Sequence, residues 1–558
     1  MSDWDFILIC QANVVEYDAY SALPLDRLEL YSSLVYPRMV RHDGKFVSHL
    51  DFINDVSGRP SYFESDFVDR RQSLNIWNLP AASGLHVANY LLQFGIRTKI
   101  INNIDSDWDL FEEAYRSCGN DVPVGISSTF FLSFKEIGRI CKRLKKLDPD
   151  MEIIVGGAFA NSYIINGSPA DLAEPMRKYG IKHMLHAFNS EFDLRDLLMA
   201  RRNGGDITQI KNLCTYDGGQ FSAGPVQWNT PLLDEAPALW DQLDAPFLNR
   251  TIQIRTASGC PFSCSFCSYP TTAGGWKTLD GDKVRMHLDS VKRIGGIDRI
   301  IFIDDTFNVP PHRFKALLKI FQEYDFEWFS FLRVQYVDED VVRAMKDSGC
   351  IGVYLGVESA NDNVLANMNK KARRSDFKRG LELLNKHGIN SLSAFVLGFP
   401  GETDETIKDN IDFIENCGVQ FYSLKEFYYM EHTEIHNKRE EFGLTGMGAK
   451  WKHNTMSHED AGRIKLEMFQ SIKNACFVDP DTSLWYMAYL YDQGYSFREI
   501  RELQEGINTI MKRQLAGDFG DNADVVGRLK ALHANRMPMP APLLHTRRPE
   551  LVTSGLGA

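Results

Sequence analysis

The stretch Ile252-Gln-Ile-Arg-Thr256-Ala-Ser-Gly-Cys260-Pro-Phe-Ser-Cys264-Ser-Phe-Cys267 decides how this sequence is interpreted. It begins with residues typical of a buried strand and continues into a loop that holds three cysteines. The spacing C-x3-C-x2-C can place three thiolates on three irons of a [4Fe-4S] cube and leave the fourth iron open. The sequence therefore predicts a strand whose carboxyl end carries an iron–sulfur cluster.

Chance crowding, a zinc site and a disulfide framework are other interpretations of clustered cysteines, and they fit less well. A zinc site needs a fourth ligand, and the next candidates along the chain, His287 and Cys350, do not have zinc-finger spacing. A disulfide framework is typical of small secreted domains, whereas this chain has 10 cysteines in 558 residues. Several other cysteines lie on or near apolar segments and are interpreted as small core residues. These are Cys10, Cys118, Cys141 and Cys214.

Composition limits the class of protein. With 44% hydrophobic and 24% charged residues the chain is globular, and its length predicts two to four domains. The 62 Lys and Arg against 74 Asp and Glu give a net charge of -12, so no overall positive field attracts nucleic acid. No apolar run reaches the ~18 residues that span a bilayer, and the start lacks the basic region of a signal peptide. We expect a cytoplasmic protein that binds neither nucleic acid nor membrane.

Six strand-and-helix units follow one another from Ile252 onwards. Their candidate strands are residues 252–256, 299–303, 328–332, 352–356, 391–396 and 420–424. This alternation predicts an α/β fold, a partial (β/α)6 barrel over residues 251–440, with its chemistry at the carboxyl ends of the strands. Residues 441–536, which predict only helices from Ser457 onwards, are interpreted as a C-terminal helical substrate domain, and residues 537–558 as a flexible tail.

A second strand-and-helix alternation precedes the barrel. Residues 1–204 predict a doubly wound, Rossmann-like domain with an insertion at about 12–76, and residues 205–250 a linker. One helix is expected to begin at an N-cap, Ser83, and another at a capping box formed by Ser133 and Glu136.

Small residues follow two strands of this domain. They are Ser127, Ser128 and Thr129 after one strand, and Gly156, Gly157 and Ala158 after the next. Small side chains at the carboxyl end of a parallel sheet let a large flat ligand approach the backbone. Glycines and serines also occur in ordinary turns between strands and helices, which is the alternative interpretation.

Taken together, these motifs resemble the radical S-adenosylmethionine (SAM) enzymes, and in particular their cobalamin-dependent members. Besides the cysteines, the resemblance rests on Gly356-Val-Glu358-Ser after the fourth barrel strand and Leu397-Gly-Phe-Pro-Gly401-Glu-Thr after the fifth. It also rests on the N-terminal doubly wound domain, and it covers about residues 75–460. It implies three cofactors, which are a [4Fe-4S] cluster, S-adenosylmethionine and cobalamin.

The resemblance also implies roles for individual residues in the barrel. Cys260, Cys264 and Cys267 would be the metal ligands and the catalytic centre. S-adenosylmethionine would meet Phe266 at its adenine, Glu358 at its ribose hydroxyls, and the backbone of Gly398 and Pro400. The physical sense is that a carboxylate accepts hydrogen bonds from a diol, and a glycine–proline turn exposes peptide groups.

Arg333 ends the third barrel strand, where it would pair with the methionyl carboxylate; a surface salt bridge is the alternative. Asp304 and Asp305 end the second strand, where many members of the family have glycines, so a contact between these two residues and the cofactor is left open.

Cobalamin would lie against the two strand-end segments of the N-terminal domain. The Asp-x-His-x-x-Gly loop, whose histidine is the lower cobalt ligand in many corrinoid proteins, does not occur in this sequence. A bound corrinoid would therefore have no protein histidine on cobalt. A degenerate domain that binds no corrinoid is the alternative.

Candidate substrate contacts lie near and after the last barrel strand. Those near the strand are Tyr422, Glu426, Tyr428, Tyr429 and Glu431. In the segment 446–456, Trp451 and His453 either form a substrate wall or are ordinary packing residues.

The resemblance implies a methyltransferase that moves a methyl group from S-adenosylmethionine through methylcobalamin to an unactivated centre. The substrate would be a natural product, an amino acid or a peptide in secondary metabolism, and flavodoxin or ferredoxin would be the reductant. Three alternatives stay open: a cobalamin-dependent cyclase or rearrangement enzyme without methyl transfer, a non-catalytic corrinoid or iron–sulfur sensor, and a tRNA-modifying methylthiotransferase. The last would need an additional cluster domain and a basic RNA-binding appendage.

Overall fold

The structure, a computed structural model, describes residues 3–12, 39–60, 72–131, 133–165, 168–187, 189–227, 229, 233–245, 248, 250–478, 483–534 and 536. The predicted tail at 537–558 and a large part of the predicted insertion at 12–76 lie outside the described residues.

Nine strands are described before the barrel. They are β1 (Phe6–Gln11), β2 (Met39–His42), β3 (Lys45–Ser48), β4 (Thr98–Asn103), β5 (Val124–Ser127), β6 (Ile153–Gly156), β7 (His183–Leu185), β8 (Leu213–Asp217) and β9 (Gln220–Ala223). Seven form one sheet in the order β4-β1-β5-β6-β7-β8-β9. Strands β4 to β7 of this order are parallel, and β8 and β9 extend the sheet antiparallel. The doubly wound N-terminal sheet is thus confirmed.

Seven α-helices are described in this half. They are α1 (His49–Val56), α2 (Ala82–Leu92), α3 (Trp108–Ser117), α4 (Phe134–Leu147), α5 (Ala158–Ile165), α6 (Ala173–Tyr179) and α7 (Glu191–Asn203). Helix α1 packs against β2 and β3, and the others cover both faces of the sheet. Strand β1 shows why both faces are buried. Its side chains alternate, so Phe6 and Leu8 enter the apolar cluster that continues into the barrel, while Ile7 and Ile9 enter a second cluster on the other face.

The predicted helix starts are partly confirmed. Ser133 and Glu136 form the expected capping box, in which the Ser133 backbone N–H donates to Glu136 Oε2 at 3.0 Å. The expected N-cap at Ser83 is wrong, because α2 begins at Ala82 and is preceded by Ala81. The Ala81 backbone N–H instead donates to Asn102 Oδ1 at 2.8 Å, so a tertiary hydrogen bond fixes this end.

The described residues from 250 onwards form eleven further strands. They are β10 (Thr251–Ile254), β11 (Ala257–Ser258), β12 (Lys277–Thr278), β13 (Arg299–Phe302), β14 (Glu327–Leu332), β15 (Cys350–Glu358), β16 (Asn390–Leu397), β17 (Phe421–Glu426), β18 (Thr445–Met447), β19 (Lys450–Lys452) and β20 (Cys476–Phe477). The order β10-β13-β14-β15-β16-β17-β20 is a parallel sheet. Its first six strands are the six predicted ones, which confirms the partial barrel.

The seventh barrel strand corrects the expectation of helices only after Ser457. The backbone N–H of Cys476 donates to Gln420 O at 3.0 Å, and that of Val478 donates to Tyr422 O at 2.8 Å. A strand of two residues is too short to show a recognisable alternation, so the sequence pattern does not reveal it.

The helices of this half alternate with the strands and then form a C-terminal group. They are α8 (Tyr269–Thr272), α9 (Gly281–Ile294), α10 (Pro311–Phe321), α11 (Glu339–Asp347), α12 (Asp362–Asn367), α13 (Arg374–Lys386), α14 (Asp404–Asn416), α15 (Glu434–Asn437), α16 (His458–Ser471), α17 (Ser483–Asp492), α18 (Phe497–Leu515) and α19 (Ala523–Ala534).

Helix α17 fills the inside of the partial barrel. Ala488 packs with Ile301 and Phe329 of the strands. Trp485 Nε1 donates to Gln253 Oε1 at 2.6 Å, and Thr251 Oγ1 donates to Asp492 Oδ1 at 2.6 Å. Because these polar pairs are buried, they fix the position of the helix as well as satisfying their own hydrogen-bonding capacity. The C-terminal helices therefore share a core with the barrel.

The N-terminal half is fastened to the same core. The Asn75 backbone N–H donates to the Tyr489 hydroxyl at 2.9 Å, and Gln253 Nε2 donates to Pro80 O at 2.6 Å. The Arg41 backbone N–H donates to Gln514 Oε1 at 2.6 Å. The described part of the predicted insertion therefore packs on the C-terminal helices.

A buried carboxyl group holds the turn after β16. The Gly398 backbone N–H donates to Glu402 Oε2 at 2.5 Å, and Asn410 Nδ2 donates to Glu402 Oε1 at 3.1 Å. Burial raises the pKa of Glu402 to about 8, although these hydrogen bonds lower it. Gly398 has φ +81°, and a Cβ there would lie 2.3 Å from Trp451 Cη2, so the turn requires glycine.

Two glycines in the left-handed region give a test of backbone packing. A Cβ at Gly349 (φ +91°) would lie 2.2 Å from Phe326 O, whereas a Cβ at Gly388 (φ +63°) has no atom within 4 Å. We expect Gly388→Ala to cost about 1–2 kcal/mol, the price of the left-handed backbone alone. Gly349→Ala adds a backbone clash and should cost roughly twice as much or more. Urea unfolding midpoints measure both, and equal midpoints would contradict this packing.

Glu402 should make stability depend on pH. Its folded pKa of about 8 lies above the ordinary 4.5, so between these values the folded chain holds a proton that the unfolded chain has released. The free energy of unfolding should therefore fall as pH rises from about 4.5 to 8, and Glu402→Gln should flatten this part of the profile. Urea midpoints at several pH values test this, with the exposed Glu405→Gln as control. Parallel profiles for wild type and Glu402→Gln would refute the assignment.

Candidate active site

The loop after β11 brings the three motif cysteines together at the carboxyl end of the first barrel strand. Cys264 is buried, and Cys260 and Cys267 are half-buried. Burial is the main cause that raises the pKa of Cys267 to about 11, and the neighbouring thiols of Cys264 and Cys260 add to it. A metal that binds here must therefore displace thiol protons.

This donor set fits an iron–sulfur cluster. Within the described ranges, no three His, Cys, Asp or Glu side chains converge closely enough to hold a single metal ion. A cubane has a different requirement, because each thiolate binds a different iron of the cube. Three thiols spread along one short loop are the donors that such a cluster needs.

Backbone hydrogen bonds hold the cysteine loop from two sides. The Ser265 N–H donates to Met368 O at 2.8 Å, and Ser265 O accepts from the Ile435 N–H at 2.9 Å. On the first side, Asn369 Nδ2 also donates to Ser263 O at 2.7 Å. Because the loop's own peptide groups make these bonds, its path is fixed independently of the cysteine side chains.

Glu358 ends β15 as predicted and has a partner that the sequence did not indicate. Lys370 Nζ lies 2.8 Å from Glu358 Oε1, and both side chains are largely buried, with 6% and 13% exposed. A Cβ at Gly356 would lie 2.4 Å from Glu358 Oε1 and 2.9 Å from Lys370 Nζ, so this glycine leaves room for the ion pair. No local pattern identifies Lys370, because it lies beyond the next helix.

Phe266 and the turn that carries Gly398 and Pro400 are neighbours. The Phe266 and Phe399 ring centroids are 6.2 Å apart with an edge-on geometry. Asn367 Nδ2 donates to Pro400 O at 3.2 Å, which fixes the far side of the turn. The structure thus brings the residues predicted for the adenine and the backbone contacts to one place beside the cysteine loop.

The two aspartates after β13 differ in environment. Asp304 is fully buried and accepts from the Thr256 N–H at 2.6 Å and from the Thr256 hydroxyl. Burial raises the pKa of Asp304, opposed by Thr256 and by the positive charge of Arg313. Asp304 is therefore a structural residue, whereas the Asp305 side chain is exposed.

Arg333 points to the cysteine loop. Its Nη2 lies 3.1 Å from Cys264 Sγ, and no carboxylate oxygen of the described residues lies within 4.0 Å of its guanidinium. The described residues therefore do not support the alternative of a surface salt bridge, since the half-buried Arg333 side chain lies beside the cysteine loop.

Trp451 and His453 pack against the turn after β16. Both are buried, and their rings stack at 5.3 Å with an interplanar angle of 3°. Trp451 Nε1 donates to Phe427 O at 2.6 Å, and His453 Nε2 lies 3.0 Å from Gly398 O. Of the two interpretations of these residues, the structure supports packing.

The candidate substrate contacts near β17 divide into two groups. Tyr422 and Tyr429 are buried, the first against Phe477 and the second with its hydroxyl 2.8 Å from His436 Nδ1. The expectation of substrate contact is wrong for Tyr422, because its side chain enters the core on the strand's alternation. The others are more accessible. They are Glu426, which is half-buried, and Tyr428 and Glu431, which are exposed.

The segments 127–129 and 156–158, which follow β5 and β6 of the N-terminal sheet, are hydrogen-bonded to each other. Ser128 Oγ donates to Gly156 O at 2.7 Å and accepts from the Ala160 N–H at 3.2 Å, so its one O–H donor is already used. Gly157 has φ +104°, and a Cβ there would lie 3.0 Å from Ser128 N. The outer positions, Thr129 and Ala158, are exposed at the carboxyl edge, and Ser127 is half-buried.

A cavity of about 460 Å³ lies between the N-terminal sheet and the barrel. Cys264 and Cys267 contribute to one wall, and His186, which follows β7, to another. His186 is 3% exposed, and neither ring nitrogen has a hydrogen-bond partner among the described residues. Burial lowers the pKa of His186, so the ring is neutral at pH 7. The sequence places His186 just after a predicted strand but indicates no role for it, because nothing local distinguishes it from a core histidine.

Comparisons with known proteins agree with this geometry. Residues 254–414 match the model of the Radical SAM superfamily. An uncharacterized methyltransferase of Pyrococcus horikoshii, PH0819, is 27% identical over 52% of this chain and 68% of its own length. Other curated relatives, among them ribosomal protein uS12 methylthiotransferases, match over less than half of their own length.

Two solved structures share the fold over most of the chain. The radical SAM methyltransferase TsrM from Kitasatospora setae, with tryptophan substrate and a SAM analogue bound, has a TM-score of 0.55 at 15% identity, covering 81% of this chain and 96% of TsrM. The cobalamin-dependent radical enzyme OxsB has a TM-score of 0.54 at 13% identity, covering 95% and 75%. Residues 254–414 are therefore a radical SAM domain, and the chain is an enzyme that shares the fold of TsrM and OxsB.

Proposed function

We propose that this enzyme is a cobalamin-dependent methyltransferase that acts on a small molecule or a peptide. The observation that carries the proposal is the cavity between the two α/β units, because cysteines of the loop and residues of the N-terminal domain line the same space. Residues 251–440 would hold the cluster and S-adenosylmethionine, residues 1–204 the cobalamin, and residues 441–536 would close the site.

Different residues of the barrel would bind the cluster and the parts of S-adenosylmethionine. Cys260, Cys264 and Cys267 would hold the cluster, and Glu358 would accept hydrogen bonds from the ribose of S-adenosylmethionine. Phe266 would lie against the adenine, beside the peptide groups of Gly398 and Pro400. When bound, the cluster and S-adenosylmethionine supply one-electron cleavage of a carbon–sulfur bond, and cobalamin supplies a transferable methyl group.

The carboxyl edge of the N-terminal sheet supports the assignment of cobalamin. Both structural neighbours are described with this cofactor, TsrM in a second structure with cobalamin and a [4Fe-4S] cluster bound. In this chain the segments 127–129 and 156–158 leave small side chains at that edge, where ligands of parallel sheets bind. The missing Asp-x-His-x-x-Gly loop means that no histidine from that motif would bind cobalt.

The cavity itself is proposed as the substrate site. His186 presents a neutral ring that can donate one hydrogen bond and accept another, and Glu431 and Glu434 also line the cavity. Among the described residues that line the cavity there is no lysine or arginine, which disfavours a substrate with several negative charges. The protein's part is to position the substrate and exclude water from the reacting centre.

The environment fits a reducing compartment. None of the ten cysteines pairs in a disulfide, which is typical of cytoplasmic proteins, and we propose that flavodoxin or ferredoxin supplies the electron. Among the described helices, none has the length and apolar character of a membrane span.

The second candidate is a cyclase or rearrangement enzyme in the same scaffold. It uses the same cofactors and transfers no methyl group, so the mass of the product separates the two. A sensor without catalysis would produce neither product nor cleaved S-adenosylmethionine.

The central experiment uses the anaerobically purified enzyme with reconstituted cluster and cobalamin. We expect about four irons per chain. We also expect the label of deuterium-methyl S-adenosylmethionine to appear in the product, as measured by mass spectrometry. Cys264→Ala should lower the iron content and reduce product formation at least roughly 100-fold, since one corner of the cluster loses its ligand. Cys417→Ala, outside the loop, is the control. Full iron and full turnover in Cys264→Ala would refute the proposal.

His186 gives a separate test of the cavity. We expect His186→Ala to keep its iron and its cobalamin spectrum, while KM for the substrate rises about tenfold because a hydrogen bond to the substrate is lost. The exposed His312→Ala serves as the control. An unchanged KM in His186→Ala would place the substrate elsewhere.

A further inference from the structure

We propose that Arg333 raises the reduction potential of the cluster by donating a charge-assisted hydrogen bond to the sulfur of Cys264. This rests on the cluster of the proposed function. It assigns Arg333 to the cluster, whereas the functional role predicted from the sequence was an ion pair with the carboxylate of S-adenosylmethionine.

The three cysteines are not equivalent. Cys264 Sγ is 3.1 Å from Arg333 Nη2, and Cys264 is 6% exposed. Cys260 Sγ has an uncharged neighbour, the Thr306 hydroxyl at 3.2 Å. Of the three sulfurs, that of Cys264 is therefore paired with a cation in the described part of the chain.

The guanidinium is fixed by contacts other than the thiol. Its carbon lies 3.6 Å from the centroid of the Phe262 ring, and Nη1 donates to Lys370 O at 3.2 Å. Phe262 is itself stacked on Tyr336, with centroids 5.9 Å apart. Because Phe262 belongs to the cysteine loop, the cation is attached to the element that carries Cys264.

The backbone of Arg333 is fixed as well. Its N–H donates to Asn308 Oδ1 at 3.0 Å, and its carbonyl accepts from Asn308 Nδ2 at 2.9 Å. Asn308 is buried, so this pair holds the start of the side chain. Since no carboxylate of the described residues lies within 4.0 Å, no negative side chain among them neutralises the guanidinium charge beside the sulfur.

The direction of the effect follows from charge. Reduction adds one electron to the cluster and its thiolates, and a fixed positive charge stabilises the more negative state. Hydrogen bonds to the sulfurs are one of the factors that set the potential of such clusters. A charge-assisted bond in a part-buried place is stronger than a neutral one in water. Removing it should make the cluster harder to reduce.

The test is a redox titration of the full-length reconstituted enzyme without S-adenosylmethionine. Electron paramagnetic resonance of the reduced cluster monitors the titration. For Arg333→Gln we expect a roughly tenfold lower reduction equilibrium constant, which is about 59 mV for one electron. Arg333→Lys, which keeps the charge and loses the planar fork, should shift less. Phe262→Leu, which removes the ring beneath the cation, should shift in the same direction.

The matched control is Arg374→Gln. This change removes the same charge from the barrel at a residue paired with Asp412, and it should leave the potential unchanged.

Iron content and binding of S-adenosylmethionine separate the outcomes. A wild type that binds no iron refutes the proposed function itself. If Arg333→Gln holds full iron at the wild-type potential, the inference is overturned, and a weaker affinity for S-adenosylmethionine would then assign Arg333 to the carboxylate alone. If Arg333→Gln takes up too little iron, Arg333→Lys and Phe262→Leu decide, and wild-type potentials in both would overturn the inference.

Discussion

The path of the cysteine loop is the constraint on which the rest of the site depends. Its central peptide, at Ser265, is bonded on one side to Met368 and on the other to Ile435. These partners belong to segments that follow the fourth and sixth strands of the barrel, so the loop lies where the carboxyl ends of the strands converge. A loop held by its own peptide groups keeps its path whatever its side chains bind.

The segment 368–370 connects the loop to the nucleotide side of the proposed site. Met368 and Asn369 bond to the loop, the Lys370 carbonyl accepts from Arg333, and the Lys370 ammonium pairs with Glu358. A change in this segment would therefore affect both the sulfur ligands and the carboxylate proposed for the ribose. Such shared supports explain why residues far from any reacting atom matter for geometry in sites of this kind.

The two α/β units and the C-terminal helices behave as parts of one packed structure. Helix α17 occupies the barrel interior and bonds to β10, while Tyr489 on the same helix accepts from Asn75 of the N-terminal half. The cavity lined by His186 lies between these two α/β units. This arrangement suits the proposed transfer of a methyl group from the N-terminal domain to a substrate in the cavity.

The sequence alone determined the local features. These are the C-x3-C-x2-C loop after a strand, the alternation of strands and helices, and the capping box at Ser133. Each depends on residues that are close together in the sequence, so each could be predicted, and the structure contains them. The tertiary structure alone decided which distant residues meet. Arg333 reaches a sulfur 69 positions earlier, Lys370 reaches Glu358 across a helix, and β20 adds a strand too short to be recognised. His186 became a candidate only from the folded structure, in which its ring is buried, has no hydrogen-bond partner among the described residues and lines the same cavity as two of the cysteines. Burial and distances between remote residues cannot be read from the sequence.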